Sequence, residues 1–332
     1  MATTKKATAA PAKTATKPKT PAAKKVAKPA KVAVLEKPKK VTPKKGLSPK
    51  VFQIYFEDWQ SKVIDPAFEP FDNQGQASEL LEFDVFKRLA ESSETKGVGL
   101  WGALSWRFTE KTGLTGKDLM AQIAANPGYD VYFCNPHVEN EAVFHNMWQQ
   151  GETSHPHFLA LVKAVFKAAG LNDREINALH PSSSYSAANY FVATPKFWSA
   201  YIAFIEQVLL AVEKNLSPEL LKVLHSNLAD GKGLHAGATY VPFIVERLFG
   251  YFMRTVGKGL KPFKLVLPQR EVEMNVHQKL LREMKNVAFQ TKSPWMAACW
   301  VNYRNLYFSQ TRTKTWCAKY LRTVTPAAID FV

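Results

Sequence analysis

The first fifty residues contain no aromatic side chain, no arginine and a single acid, Glu36. A segment without aromatics and broken by frequent proline buries too little apolar surface to offset the entropy of ordering, so disorder is expected over residues 1–48. Cysteine is scarce as well. Cys134, Cys299 and Cys317 are odd in number and widely spaced, which argues against a disulfide framework and a Cys-type zinc site and fits a reducing compartment. The basic start is followed by no apolar run of signal-peptide type. The best membrane-span candidate, YIAFIEQVLLAV at 201–212, is short and interrupted by Glu206 and Gln207, so no transmembrane segment is expected and a cytoplasmic protein is the simplest reading. Several motifs are missing too: GxGxxG after a strand, a Walker A loop, GxSxG, HExxH and an EF-hand loop. GKGLHAG at 231–237 lacks the P-loop spacing. HPH at 155–157 offers two metal ligands, but a proline between them at a helix start reads as a cap and surface element.

The charge that is present sits in one place. Residues 1–50 carry fifteen Lys against Glu36, or +14 of the net +16, which leaves +2 for the remainder. This tail resembles the Lys-Ala-Pro tails of histone H1 and of bacterial H1-like proteins. Such a chain binds DNA or other polyanions through counterion release, with steep salt dependence. A tether to an anionic membrane surface, with the protein peripheral at the inner membrane, and a solubilising leader are the other readings of the same composition.

Beyond the tail, strands and helices alternate. VFQIYF (51–56), GVGLWGALSWRF (97–108) and DVYFCNP (130–136) read as buried strands. Residues 78–92, with Ser78 as cap, and 115–128, opening at a Thr cap, read as helices. DPAFEPFDNQGQ (65–76) reads as a loop. After residue 140 helices are expected at 140–150, 155–169, 195–215, 217–228 and 241–256, and strands at 186–194 and 263–268. Two or three further helices are expected in 270–323. The fold class is α/β, with a mostly parallel sheet and extensive C-terminal helices.

One stretch conflicts with its surroundings. YVPFIVERLFGYFM (240–253) is apolar on nearly every face, yet holds Glu246 and Arg247 in its middle. Burying an ionised carboxylate is costly unless it is paired. Adjacent helical residues point about 100° apart, so the two need not pair with each other. Glu246 is either half of a structural ion pair or a carboxylate aimed into a polar site.

Three ordered stretches suggest a family. GVGLWGALSWRF, YSAANYFVATPKFWSAYIAFIEQVL (185–209) and YVPFIVERLFGYFM, with Asp72 and Asn73 ahead of the first helix, resemble elements of the GT-A class of nucleotide-sugar glycosyltransferases of bacterial capsule and O-antigen type. With the tail taken as 1–48 from its composition, the resemblance, which covers roughly residues 50 to 260, implies a GT-A-like (Rossmann-like) domain at 49–268, followed by a helical extension at 269–332. It implies transfer of a sugar from a nucleotide-sugar donor to a glycan acceptor. The class carries Asp-x-Asp on a divalent metal, Mg or Mn; here Asp130 is followed by Tyr132, so Asp130 is the sole metal candidate. The resemblance assigns donor binding to Arg107, Asp130, Asn189, Asp72 and Asn73, and the catalytic base to Glu246. Each has a bland counterpart: a surface salt bridge for Arg107, a strand-start cap for Asp130, a turn residue for Asn189. The missing carboxylate leaves a non-catalytic nucleotide- or sugar-binding relative as one alternative. A DNA- or polyanion-binding protein acting through the tail is the other.

A chain starting at Ser48 is expected to keep its thermal midpoint within about 2 °C and to lose most polyanion affinity. Undiminished DNA binding with an unchanged salt slope after the deletion would place the electrostatics elsewhere.

Overall fold

The computed structural model describes residues 48–228, 237–326 and 328–331. The Lys-rich tail and nearly all of GKGLHAG lie outside the described residues. Six strands form one sheet: β1 Lys50–Tyr55, β2 Glu69–Asp72, β3 Trp101–Ser105, β4 Val131–Phe133, β5 Phe191–Ala193 and β6 Pro262–Lys264. Their order is β2-β1-β3-β5-β4-β6. Strand β5 runs antiparallel to β3 and β4, and the remaining pairs are parallel. The α/β class and mostly parallel sheet are therefore as read from the alternation.

The central strands β3, β4 and β5 are almost wholly apolar because both of their faces are covered. Alternate side chains enter two separate cores. Phe52, Ile54, Trp101, Val131, Phe133 and Phe191 join the first, while Val51, Leu104, Tyr132 and Val192 join the second. The first core is closed by helices α2 (Glu82–Glu91), α7 (Phe158–Ala168), α8 (Pro195–Asn215) and α10 (Val241–Arg254). The second is closed by α4 (Gly116–Ala125), α12 (Val276–Thr291) and α13 (Pro294–Thr311). Residues beyond 268 thus supply one layer over the sheet. Trp300 Nε1 donates to the Ala142 carbonyl at 3.0 Å, and fully buried Lys285 donates to the Phe144 carbonyl at 2.9 Å.

Local chemistry explains where the elements differ from expectation. The expected loop at 65–76 contains β2, an edge strand of four residues; an edge position tolerates Pro70, which has no N–H to give. The expected helix at 140–150 is two: α5 (Val138–Val143) and α6 (Met147–Ser154). Asn146 divides them, its side-chain oxygen accepting from the backbone N–H of Trp148 and Gln149. Helix α2 begins at Glu82 instead of after Ser78, and Leu81 ahead of it has φ of 49°. Thr115 does cap α4, in a reciprocal box with Asp118.

All strands but β5 end at one edge of the sheet. That edge carries α1 (Asp58–Ser61) and α3 (Phe108–Thr112). Open α/β sheets place their ligands outside the carboxyl ends of the strands. The close approach of β3 to β5 requires Gly102: a Cβ there would lie 2.2 Å from the Phe191 carbonyl oxygen. Gly102→Ala is expected to cost about 3 kcal/mol or more in urea unfolding; a loss below about 0.5 kcal/mol would refute this packing.

Candidate functional site

Two adjoining cavities open at the carboxyl edge. The first, about 370 Å³, is walled by Phe243, Glu246 and Arg247 of α10, Lys111 of α3, His137 after β4, and His155 and Pro156 between α6 and α7. Ala187 and Ala188, just before β5, complete one side. The second, about 410 Å³, shares Lys111, Pro136 and His137 with the first and adds Glu110, Glu139, Arg270 and Glu273. Arg270 and Glu273 belong to α11 (Pro268–Glu273).

The Glu-Arg conflict in α10 is resolved by the environment of Arg247. The guanidinium is buried, and each of its three nitrogens donates to an acceptor other than Glu246. Nε donates to the Met147 carbonyl at 3.1 Å, Nη1 to the Phe243 carbonyl at 2.8 Å, and Nη2 to Gln150 Oε1 at 2.7 Å. The Phe158 ring lies 5.1 Å away as a cation–π partner. The nearest Arg247–Glu246 approach is 3.6 Å, and the Glu246 side chain is 23 % exposed, into the first cavity. Burial pushes the Glu246 pKa up to about 7; Glu82 adds to this, while Arg247 and Lys111 oppose it. The carboxylate is therefore poised near neutrality.

The other groups of the first cavity are cationic or neutral. Lys111 makes no hydrogen bond or ion pair through its ammonium among the described residues. Its carbonyl accepts from Arg270 Nε at 2.9 Å, which ties α3 to α11. The His137 side chain is 51 % exposed. Partial loss of water and the cations Lys111, Arg247 and Arg270 hold its pKa well below the usual imidazole range. The His155 ring packs on Phe243, centroids 4.2 Å apart.

The structure separates the residues that the resemblance grouped. Asp130 stands at the start of β4, on the opposite edge of the sheet from Glu246. Its Oδ2 accepts from the Lys261 backbone N–H at 2.8 Å, and its carbonyl from Thr194 N–H at 2.9 Å. It acts as the strand-start cap and lies outside the lining of both cavities. Arg107 lies at the correct edge but is held by Glu110, Nε to Oε2 at 2.9 Å and Nη2 to Oε1 at 2.5 Å. Asp72 and Asn73 end the edge strand β2, outside both cavities. Asp72 accepts from Gln74 N–H at 2.8 Å, and Asn73 Oδ1 from Arg88. Asn189 follows the two cavity-lining alanines, buried, and its Oδ1 has no partner among the described residues. Among the described residues no group of three or more His, Cys, Asp or Glu side chains is placed to hold a metal ion.

Sequence reasoning missed Lys111, His137, His155 and Arg270. HPH was read as cap and surface, yet His155 walls the cavity and His157 caps nothing with its side chain. The available signal was Pro136 ending a central strand: whatever follows such a strand lands at the carboxyl edge. No protein family, curated protein or solved structure matches the chain.

Because Arg247 is satisfied by carbonyls and Gln150, the two halves of the pair are expected to behave oppositely. Arg247→Met strips three donors from their acceptors and should cost about 3–5 kcal/mol. Glu246→Gln should stabilise. The folded pKa of Glu246 lies above its unfolded value of 4.5, so wild-type stability falls as pH rises from 4.5 to about 7. The Gln variant escapes that loss and should gain on the order of 1–2 kcal/mol at pH 8 over wild type. Chemical unfolding at pH 4.5 and pH 8 checks both signs; a Glu246→Gln protein destabilised at pH 8 would restore the structural ion pair.

Proposed function

We propose that the cleft transfers a sugar from a nucleotide-sugar donor to a hydroxyl of a glycan acceptor, with Glu246 as the general base. One observation carries this reading. A carboxylate on an otherwise core-packed helix opens into a cavity at the carboxyl edge of a mostly parallel sheet, with its pKa raised to about 7 and an unpaired ammonium across from it. A base performs best when its pKa lies near the working pH. In this reading the acceptor hydroxyl donates to Glu246 and passes it the proton as its oxygen bonds to the anomeric carbon. The anomeric carbon–oxygen bond to the diphosphate breaks, and the electron pair leaves with the diphosphate. Lys111 neutralises that charge, and Arg107 can join it by exchanging Glu110 for phosphate, whose geometry suits the guanidinium fork. Asn189 Oδ1, buried behind Ala187 and Ala188, lies outside the cavity lining and is given no contact with the sugar in this reading. The resemblance also implies Mg or Mn, but among the described residues no group of side chains forms a ligand set for it.

Arg107 closed on Glu110 and the lack of a carboxylate pair favour a second reading, in which the cleft binds a nucleotide or sugar without transferring it. The Lys-rich tail, in either case, supplies affinity for DNA, another polyanion or an anionic surface. No helix among the described residues is long and apolar enough to cross a membrane.

Turnover of a panel of UDP- and GDP-sugars separates the two readings. Glu246→Gln should lower kcat by about 100-fold or more with the fold intact. In wild type the rate should rise with pH through about 7, as Glu246 loses its proton. Lys111→Ala should weaken nucleotide-diphosphate binding in both readings. A folded Glu246→Gln protein with full activity would end the base assignment; binding without turnover in wild type would leave the non-catalytic reading.

A further inference from the structure

Between Glu283 and Asp330 the sequence holds seven Lys or Arg and no acid. The fold uses two of them internally: Lys285 on the Phe144 carbonyl, and Arg304 on the Val324 carbonyl at 3.0 Å. Arg312, Lys314 and Arg322 remain exposed and form no ion pair among the described residues. In sequence they flank Trp316 and Tyr320, partly exposed rings 5.5 Å apart, with the Arg312 guanidinium 5.5 Å from the Trp316 ring.

The same end of the α12–α13 hairpin exposes aliphatic side chains. Helix α12 runs back along α13, so its first turn meets the latter half of α13: His277 Nδ1 lies 2.6 Å from Tyr303 Oη, and Asn275 Nδ2 donates to Tyr307 Oη at 3.2 Å. Trp316 in turn packs on Phe308, centroids 5.0 Å apart. Val276 is 72 % exposed there, Leu280 44 % and Leu306 52 %. Val272, ahead of them on α11, is 81 % exposed.

We infer that this end of the hairpin is a docking surface for an anionic lipid bilayer. Charge complementarity selects the sign of the partner: three exposed cations within an acid-free stretch attract acidic headgroups. The aliphatic and indole side chains select lipid over nucleic acid. Val276, Leu280 and Leu306 gain nothing against a sugar–phosphate backbone, but each removes apolar surface from water when seated at the acyl boundary. Trp and Tyr suit that boundary because one end of each ring system is apolar and the other hydrogen-bonds. The surface also adjoins the second cavity, whose wall includes Arg270, Glu273 and Gln278 from the same region, and Arg312 acts on the Glu139 carboxylate lining it. Docking would hold that cavity beside the headgroups.

The test uses the full chain, and its readout excludes the tail, which contains no Trp. Vesicles of phosphatidylcholine, and of phosphatidylcholine with one-quarter phosphatidylglycerol, are prepared with brominated acyl chains, which quench indole emission only at close range. Wild type should sediment with the anionic vesicles and lose Trp emission, and should do neither with the neutral ones. Arg312→Glu/Lys314→Glu/Arg322→Glu should cut the apparent affinity read by quenching about tenfold or more. Val276→Ser/Leu280→Ser, at exposed positions, should also lose quenching while its far-UV circular dichroism stays that of wild type. Sedimentation of wild type without quenching would mean that the tail alone binds, and would overturn the inference. So would full quenching in either variant. Duplex DNA binding that falls in the charge variant, with no lipid quenching in wild type, would overturn it in favour of a nucleic-acid surface.

Discussion

The cleft depends on how one buried guanidinium is satisfied. Arg247 reaches from α10 to the Met147 carbonyl and to Gln150 on α6, and back to Phe243 on its own helix. A cation in an apolar interior is tolerated only when its donors are used, and here neutral acceptors use them. That choice leaves the neighbouring carboxylate without a committed partner. Had Glu246 been the main acceptor, its pKa would be held down and its oxygens turned inward. Instead it sits at the cavity wall with its proton affinity raised. The bond that locks α10 against α6 therefore also frees the group proposed as the base.

The sheet supplies the second constraint. Both faces are buried, so polar chemistry has nowhere to go but the ends of the strands. The two edges have been put to different uses. At the amino edge Asp130 closes β4 against Lys261 and Thr194 by ordinary backbone capping. At the carboxyl edge Lys111, His137 and Arg270 gather with several carboxylates. Most of these groups pair with one another, Arg270 with Glu273 and Glu110 with Arg107, and among the described residues the Lys111 ammonium has no such partner. The segment beyond residue 268 belongs to this arrangement, since Arg270 binds the carbonyls of Glu110 and Lys111 and α12 and α13 cover the sheet's second face.

Much of this was legible in the primary structure, for reasons that are local. Apolar runs of β-branched and aromatic residues located five of the six strands, and the Thr115 cap set a helix start. The conflict of charge with hydrophobicity in YVPFIVERLFGYFM singled out Glu246 before any contact was known, because a charged pair in a greasy helix needs an explanation wherever it lies. The uneven lysine distribution assigned nearly all of the net charge to the first fifty residues. What the sequence could not supply was distance: Asp130 looked like a metal ligand in a strand, yet its place at the amino edge, away from both cavities, depended on pairing with β5 and β6. Helix packing likewise decided that His155, in an apparent surface turn, would lie against Phe243. Composition and periodicity report what each segment must bury, so they determined the class of fold, the tail and the anomalous glutamate. Only the tertiary structure decided which partner Arg247 took and which edge each polar residue reached, because those outcomes rest on hydrogen bonds between segments a hundred or more residues apart.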